Sequence, residues 1–429
     1  MKINSHIIIK YITTLLLLVA IQLGLLVAVA LIPKNLIRDN VYKSAIELTS
    51  REVFFHMNPA DKSSKIDRYA DSILVGIAYS YDDSEPLVSV MKSGYYHQDI
   101  ANENENLLEA VSADLNPNYE YSRYWHGSIA IVRPMLILFS IKQLYINLII
   151  ITFLLAICLV FLLKKYTNFK TIFSFTTASI GISCWYIPFS LEYVWTFIIM
   201  LIASIIAIWM YEKGKRNFSL FFLIVGSFTA YFDFLTTETI TLLVPVVFLL
   251  VLKEKTGELA SFKEEFIILI KSCLNWGLGY IFCFLSKLSL ASIILHKNCF
   301  IEAIENAQIR IGGNISSLTL FERIIGALQG NLSCLLPFSF IDNRGYAYVI
   351  LCFVLLLIVY YLFKYTKTPC TFSNIMFVIA LIPYLRYIIL SSHSYIHYFF
   401  TYRAQFTTIM CVSLALIYGI NTKKKGTRN

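Results

Sequence analysis

Ser391-Ser-His-Ser-Tyr-Ile-His-Tyr-Phe-Phe-Thr-Tyr-Arg403 stands between two apolar runs, 375–391 and 404–420. Each run approaches the roughly 20 apolar residues that cross a bilayer. The quoted segment is therefore a short connection between spans. It places two histidines and an arginine among aromatic rings. Ionisable groups at membrane depth are costly and persist where they have a partner or a task.

The same reading extends over the whole chain. Of its 429 residues 57% are hydrophobic and 15% charged, with a mean hydropathy of +0.66. A soluble protein carries about 25% charged residues. The expected fold class is an all-α polytopic membrane protein with about ten spans. Their places are 11–32, 145–163, 171–188, 194–211, 218–235, 239–252, 272–295, 346–363, 375–391 and 404–420. The first run is longer than the roughly 7–15 apolar residues of a signal peptide, so it reads as an uncleaved span.

The net charge of +9 does not point to nucleic acid, because the bases sit in short loops. Lys164, Lys165 and Lys170 follow the second span, and Lys213, Lys215 and Arg216 the fourth. Lys253, Lys255 and Lys263 follow the sixth, Lys364 and Lys367 the eighth, and Lys423, Lys424, Lys425 and Arg428 end the chain. Basic loops stay cytoplasmic, so both termini are expected inside a cell membrane. The organisation is then a first span (1–32), an extracytoplasmic loop (33–144), spans two to seven (145–295), a second outer segment (296–345), and spans eight to ten with a basic tail (346–429). Richness in Ile, Lys, Asn, Phe and Tyr fits an AT-rich bacterial genome.

The first outer loop is polar. Ile66–Ala78 has helical apolar spacing. Asp67 and Asp71, four apart, fall on one face of that helix. Asn102–Asn116 is a second, acidic helical candidate. Tyr121-Ser-Arg-Tyr-Trp-His-Gly-Ser-Ile-Ala-Ile-Val-Arg-Pro134 mixes headgroup-seeking aromatics with Arg123, His126 and Arg133. It reads either as an anchor with snorkelling arginines or as a contact to an anionic headgroup or phosphate. Met135–Ile146 reads as a helix lying on the outer surface.

Further ionisable residues stand at the outer ends of spans. Asp233, between phenylalanines, is either a cap or part of a site wall. Lys287 either snorkels or holds a phosphate, and Arg386 requires a partner or a cavity. His393 and His397 have the i, i+4 spacing of metal ligands on a helix, but no Glu follows the first, so this is no HExxH site. No metal or other cofactor is expected. The histidines are assigned to substrate hydroxyls or phosphate, and the planar fork of Arg403 to phosphate. Walker A, GxGxxG, GxSxG and kinase motifs are absent from the sequence.

Three segments together resemble the membrane-embedded GT-C-type glycosyltransferases and related multi-pass proteins of low-GC Gram-positive bacteria. They are Tyr121-Ser-Arg-Tyr-Trp-His-Gly127 with Arg133-Pro134, Phe232-Asp-Phe-Leu-Thr236, and His393-Ser-Tyr-Ile-His397 with Phe400-Thr-Tyr-Arg403. The resemblance implies a polyprenyl-phosphate-linked sugar as donor and a cell-surface glycopolymer or glycolipid as acceptor, met at the outer face among membrane lipids. It implies an acidic general base in the first outer loop: Asp71, Asp67 or Asp39. It gives substrate or phosphate binding to Arg403, His393, His397, Arg133, His126, Lys287, Asp233 and Arg386. Many such enzymes carry an acidic pair soon after the first span, whereas here Asp39 has no acidic neighbour. Two other readings stay open: a flippase for a lipid-linked saccharide and a non-catalytic assembly protein.

Overall fold

A computed structural model describes residues 5–259, 261–313, 318–342, 349 and 371–426. The expected eighth span, 346–363, apart from residue 349, and Lys364, Lys367 and Arg428 lie outside the described residues. The described architecture is that of an all-α membrane protein. Among the described residues six helices are long and apolar enough to cross a membrane.

The first span forms α1 (Ser5–Ala30), and α2 (Lys34–Thr49) follows after Pro33. A short antiparallel hairpin, β1 (Phe54–His56) with β2 (Lys65–Asp67), sets Phe54 opposite Asp67. The hairpin runs directly into α3 (Arg68–Ser80), with α4 (Pro86–Lys92) and α5 (Glu103–Ser112) behind it. Asn102 and Glu105 form a reciprocal capping box at the start of α5, which satisfies two helix-end donors. The two helices expected in the first loop are therefore α3 and α5.

The expected surface helix over 135–146 does not form. Instead α6 (Ile129–Met135) ends beside Pro134, and Ser140 with Gln143 caps the next span, α7 (Ile141–Tyr166). A helix-end capping box and an internal proline outweigh the apolar run between them. On α7, Phe153, Leu154 and Phe161 are more than half exposed, as befits a lipid-facing helix.

The expected third span breaks into α8 (Phe169–Gly181) and a 3-10 turn, Cys184–Phe189. Ser183 between them has φ 52°, a left-handed conformation that stops the helix. The chain continues through α9 (Val194–Glu212), α10 (Ser219–Phe232), α11 (Ile240–Thr256) and α12 (Phe262–Ile294). Every residue of α11 from Ile240 to Leu252 is buried, so protein rather than lipid surrounds it. The contact between α10 and α12 is backbone to backbone. A Cβ added at Gly226 would lie 1.9 Å from the Trp276 carbonyl oxygen, and one at Gly279 would lie 2.0 Å from that of Leu223. Small residues permit such crossings between apolar helices. Buried Gln22 of α1 joins them, donating to Ser227 Oγ of α10 at 3.0 Å, accepting the Tyr231 hydroxyl on its backbone carbonyl at 2.8 Å and accepting the Cys283 thiol of α12 on its Oε1 at 3.3 Å.

Beyond α12 come α13 (Cys299–Gln308), a π-helical turn over Ile309–Gly313, and α14 (Leu320–Ser333). The chain ends with α15 (Thr371–Ile389), α16 (Ser391–Ile396), α17 (Tyr398–Thr401) and α18 (Phe406–Gly426). The segment 391–403 is thus two short helices and a turn, and Asn331 of α14 ties it down. Asn331 donates to the Ser394 carbonyl at 3.1 Å and accepts the Thr401 hydroxyl at 2.7 Å.

Candidate functional site

Asp67 ends β2 and caps α3, its carboxylate accepting the Ala70 N–H at 2.9 Å. It also hydrogen-bonds to Glu192, in the turn before α9. Both side chains line a cavity of about 450 Å³. Burial pushes the Asp67 carboxyl up to about 6, and the Glu192 hydrogen bond is among the contacts that hold it down. Burial pushes Glu192 well above the usual carboxylate range, and the charges of Asp67 and Asp71 push it further. Two carboxyls this close share a proton. Their contact favours charge on Asp67 and disfavours it on Glu192.

Asp71 does not reach the cavity lining. Its oxygens accept the Tyr145 hydroxyl at 2.5 Å, the Ser190 hydroxyl at 3.1 Å and the Leu191 N–H at 2.8 Å. Burial raises it to about 7 against those three bonds, which favour the ionised form. Its contacts hold the turn that presents Glu192, so it positions rather than touches. Asp39 lies on the exposed face of α2, away from the cavity. Of Asp39, Asp67 and Asp71, only Asp67 lines this cavity.

Three histidines line the same cavity: His126, His393 and His397. Burial lowers His126 to about 3, and the Lys287 charge adds to this. Burial lowers His393 well below its ordinary value, helped by Arg386, and lowers His397 to about 4. Burial thus favours the neutral form of all three, which can donate and accept hydrogen bonds. His126 has φ 54°, a costly conformation for a residue with a Cβ. A 3.0 Å bond to the Tyr121 carbonyl makes its Nε2 the donor, so unpaired Nδ1 is the acceptor. The next residue, Gly127, has no room for a Cβ, which would fall 2.3 Å from the Tyr231 ring. Its N–H donates to the Tyr231 carbonyl at 2.8 Å, which pins the loop.

Two arginines, Arg123 and Arg310, line the cavity. Arg123 pairs with Glu302 at 2.9 Å and lies over the Tyr121 ring. Arg310, in the π-helical turn, lies over Tyr124, and its buried Nη1 has no hydrogen-bond partner among the described residues. These two arginines also line a second cavity of about 190 Å³, whose walls are Tyr280 and Phe284 of α12 and Ala303 of α13. A polar, aromatic-lined cavity therefore shares Arg123 and Arg310 with an apolar one. Tyr69, Tyr95, Tyr119, Tyr121, Phe234 and Phe400 supply the ring faces of the first.

The remaining expected residues are engaged elsewhere. Arg133 is buried and donates to the carbonyls of Ala78, Ile32 and Tyr81. Lys287 caps the end of α4, donating to the Val90 carbonyl at 2.8 Å and that of Met91 at 3.1 Å. Asp233 closes its own turn by accepting the N–H groups of Leu235 and Thr236. Arg386 pairs with Glu238 at 2.7 Å, not with Asp233, and also donates to the Leu235 carbonyl and the Ser394 hydroxyl. Arg403 is buried behind the cavity wall with its guanidinium 4.3 Å from the Tyr193 ring centre. None of its three side-chain nitrogens has a hydrogen-bond partner among the described residues. It presents no fork to the cavity. Among the described residues no cluster of three or more His, Cys, Asp or Glu side chains is arranged to hold a metal ion.

Sequence reasoning missed Glu192 and Arg310. Glu192 shows one weak signal, an acid inside a tight turn between apolar runs. Arg310 shows none, because its placement depends on the turn after α13. Comparison with family models, with curated proteins and with solved structures finds no match to this chain.

Proposed function

We propose that this chain is a membrane glycosyltransferase that moves a sugar from a polyprenyl-phosphate donor to a hydroxyl acceptor at the outer membrane face. One observation carries the reading. The buried Asp67–Glu192 pair faces an aromatic-lined cavity that shares Arg123 and Arg310 with a neighbouring apolar cavity. Such a space suits a ligand with a sugar at one end, an anionic group in the middle and a hydrocarbon at the other. Aromatic faces suit the sugar, and the guanidinium forks suit the phosphate.

In the proposed step the ionised Asp67 carboxylate takes the proton of the acceptor hydroxyl. The acceptor oxygen bonds to the anomeric carbon as the bond to the phosphate oxygen breaks. Arg123 and Arg310 stabilise the charge gathering on the departing polyprenyl phosphate. Glu192 keeps its proton and holds Asp67 in place. The neutral histidines orient hydroxyls. The acceptor class, a surface glycopolymer or glycolipid, rests on the resemblance described above. A carrier for lipid-linked saccharide draws less support, because the described polar cavity gathers its ionisable residues at one end of the bundle and α11 is apolar and buried.

The test is release of polyprenyl phosphate by membranes supplied with a panel of polyprenyl-phosphate sugars and an acceptor, with expression matched by immunoblot. Turnover by wild type and its loss in Asp67→Asn support the reading. Absence of turnover with every donor, or full turnover by Asp67→Asn, refutes it.

A further inference from the structure

The opposite end of the helix bundle contains a second built space. Three helices lead there from the candidate site. Glu192 precedes α9, whose far end is Glu212; Asp233 and Glu238 precede α11, whose far end is Thr256. On α12, Lys287 lies at the site end and Lys271 sixteen residues nearer the helix start, which is about 24 Å at 1.5 Å per residue. Between the far ends lies a cavity of about 480 Å³ lined by Arg216, Lys253, Lys271 and Ser219, with Phe222 and Ile267 among its apolar walls.

The charge in this cavity is unbalanced. Arg216 and Lys253 both pair with Glu258, each at 2.9 Å, so one carboxylate answers two cations. Among the described residues Lys271 forms no ion pair. The start of α10, at Ser219, adds the positive end of a helix. Beside the cavity α12 turns apolar residues outward: Ile267 is 39% exposed, Ile270 41% and Leu274 68%. Basic space and lipid-facing hydrocarbon thus adjoin on one helix.

We propose that this cavity binds the phosphodiester headgroup of an anionic phospholipid, with its acyl chains lying over Ile267, Ile270 and Leu274. Basic pockets between spans on the lysine-rich side of a membrane protein suit such headgroups. A free phosphate would use the same cations but has no use for the adjoining apolar face. The site is distinct from the transfer site and its occupancy does not depend on the transfer reaction. Its consequence is an anchor that fixes the four helices α9 to α12 at the end away from that site.

The test uses the purified full-length protein in detergent. Phosphatidylglycerol and phosphatidylcholine are added in equal amounts, and bound lipid is counted by native mass spectrometry. Wild type retains phosphatidylglycerol at least tenfold better. Lys271→Gln, at an exposed position, loses roughly fivefold, the effect expected of one basic residue near an anionic headgroup. Lys142→Gln, on α7 at the other end, retains it like wild type. Equal retention of the two lipids by wild type overturns the proposal. So do unchanged retention in Lys271→Gln, an equal loss in Lys142→Gln, and displacement of bound phosphatidylglycerol by millimolar inorganic phosphate.

Discussion

The Asp71 carboxylate accepts the Leu191 N–H at 2.8 Å, and the next residue in the chain is Glu192. One acid thereby sets the place of another that comes from a distant part of the chain. Asp71→Asn keeps the side chain's shape but changes what it can accept, and the turn at Ser190–Leu191 loosens. The expected result is a partial loss of turnover, about tenfold, against a loss of about a hundredfold or more in Asp67→Asn if that residue is the base. Steady-state assays of the two variants in matched membranes check the order. Equal losses would remove the distinction between base and positioning residue.

The pH profile follows from Asp67. Its proton must leave before it can accept another, so kcat/KM rises with pH through about 6 and levels above it. Glu192→Leu removes a hydrogen bond that favours the ionised form, so the acid limb moves to higher pH. Glu192→Gln retains a donor and leaves the limb near its place. The profiles of the three proteins between pH 5 and about 8 test this, a range centred on the carboxyls described here.

Stability depends on pH with a definite sign. Asp71 is raised to about 7 in the folded chain from an ordinary value near 4. The folded form therefore holds a proton that the unfolded form releases. Its contribution is fully present below the unfolded value and is lost as pH rises through about 7. Thermal unfolding in detergent should fall between pH 5 and about 8, and Asp71→Asn should flatten that fall. An equal slope in the variant would assign the effect to other groups.

Arg386 and Glu238 form a buried ion pair at 2.7 Å. Removing one partner leaves an unanswered charge, so Arg386→Met destabilises by about 3–5 kcal/mol. Arg386→Met with Glu238→Leu removes both charges and recovers much of that loss. The comparison is read from denaturation midpoints of the purified proteins. A double variant no more stable than the single one would count against charge burial as the cause.

Arg310→Ala should raise the KM for a lipid-phosphate donor while lowering kcat less, because Arg310 lines both cavities and its buried Nη1 has no partner among the described residues. A loss confined to kcat would place Arg310 outside ground-state binding.

The sequence made the helical membrane plan legible because long apolar runs have few other uses. It also marked Asp67, His126, His393 and His397, since polar residues among membrane-seeking ones stand out. It could not separate those four from Arg133, Lys287 and Arg386. Each is a cation in an apolar setting, and only the carbonyls or carboxylate facing it reveal that its task is structural. Span lengths were least legible where turns intervene. The break at Ser183 depends on one left-handed residue inside an otherwise continuous apolar stretch. Glu192 becomes a site residue through its bond to Asp67, which lies in a distant part of the chain.

The contact of α10 with α12 at Gly226 and Gly279 has a mechanical consequence. With main chains touching, there is no layer of side chains to slide or repack, so the two helices behave as one rigid beam. The candidate site leans on that beam through Tyr231 and Phe284. Any widening that admits a bulky donor must then come from the other wall, where α13, the Ile309–Gly313 turn and the short helices at 391–401 are the separate pieces free to hinge.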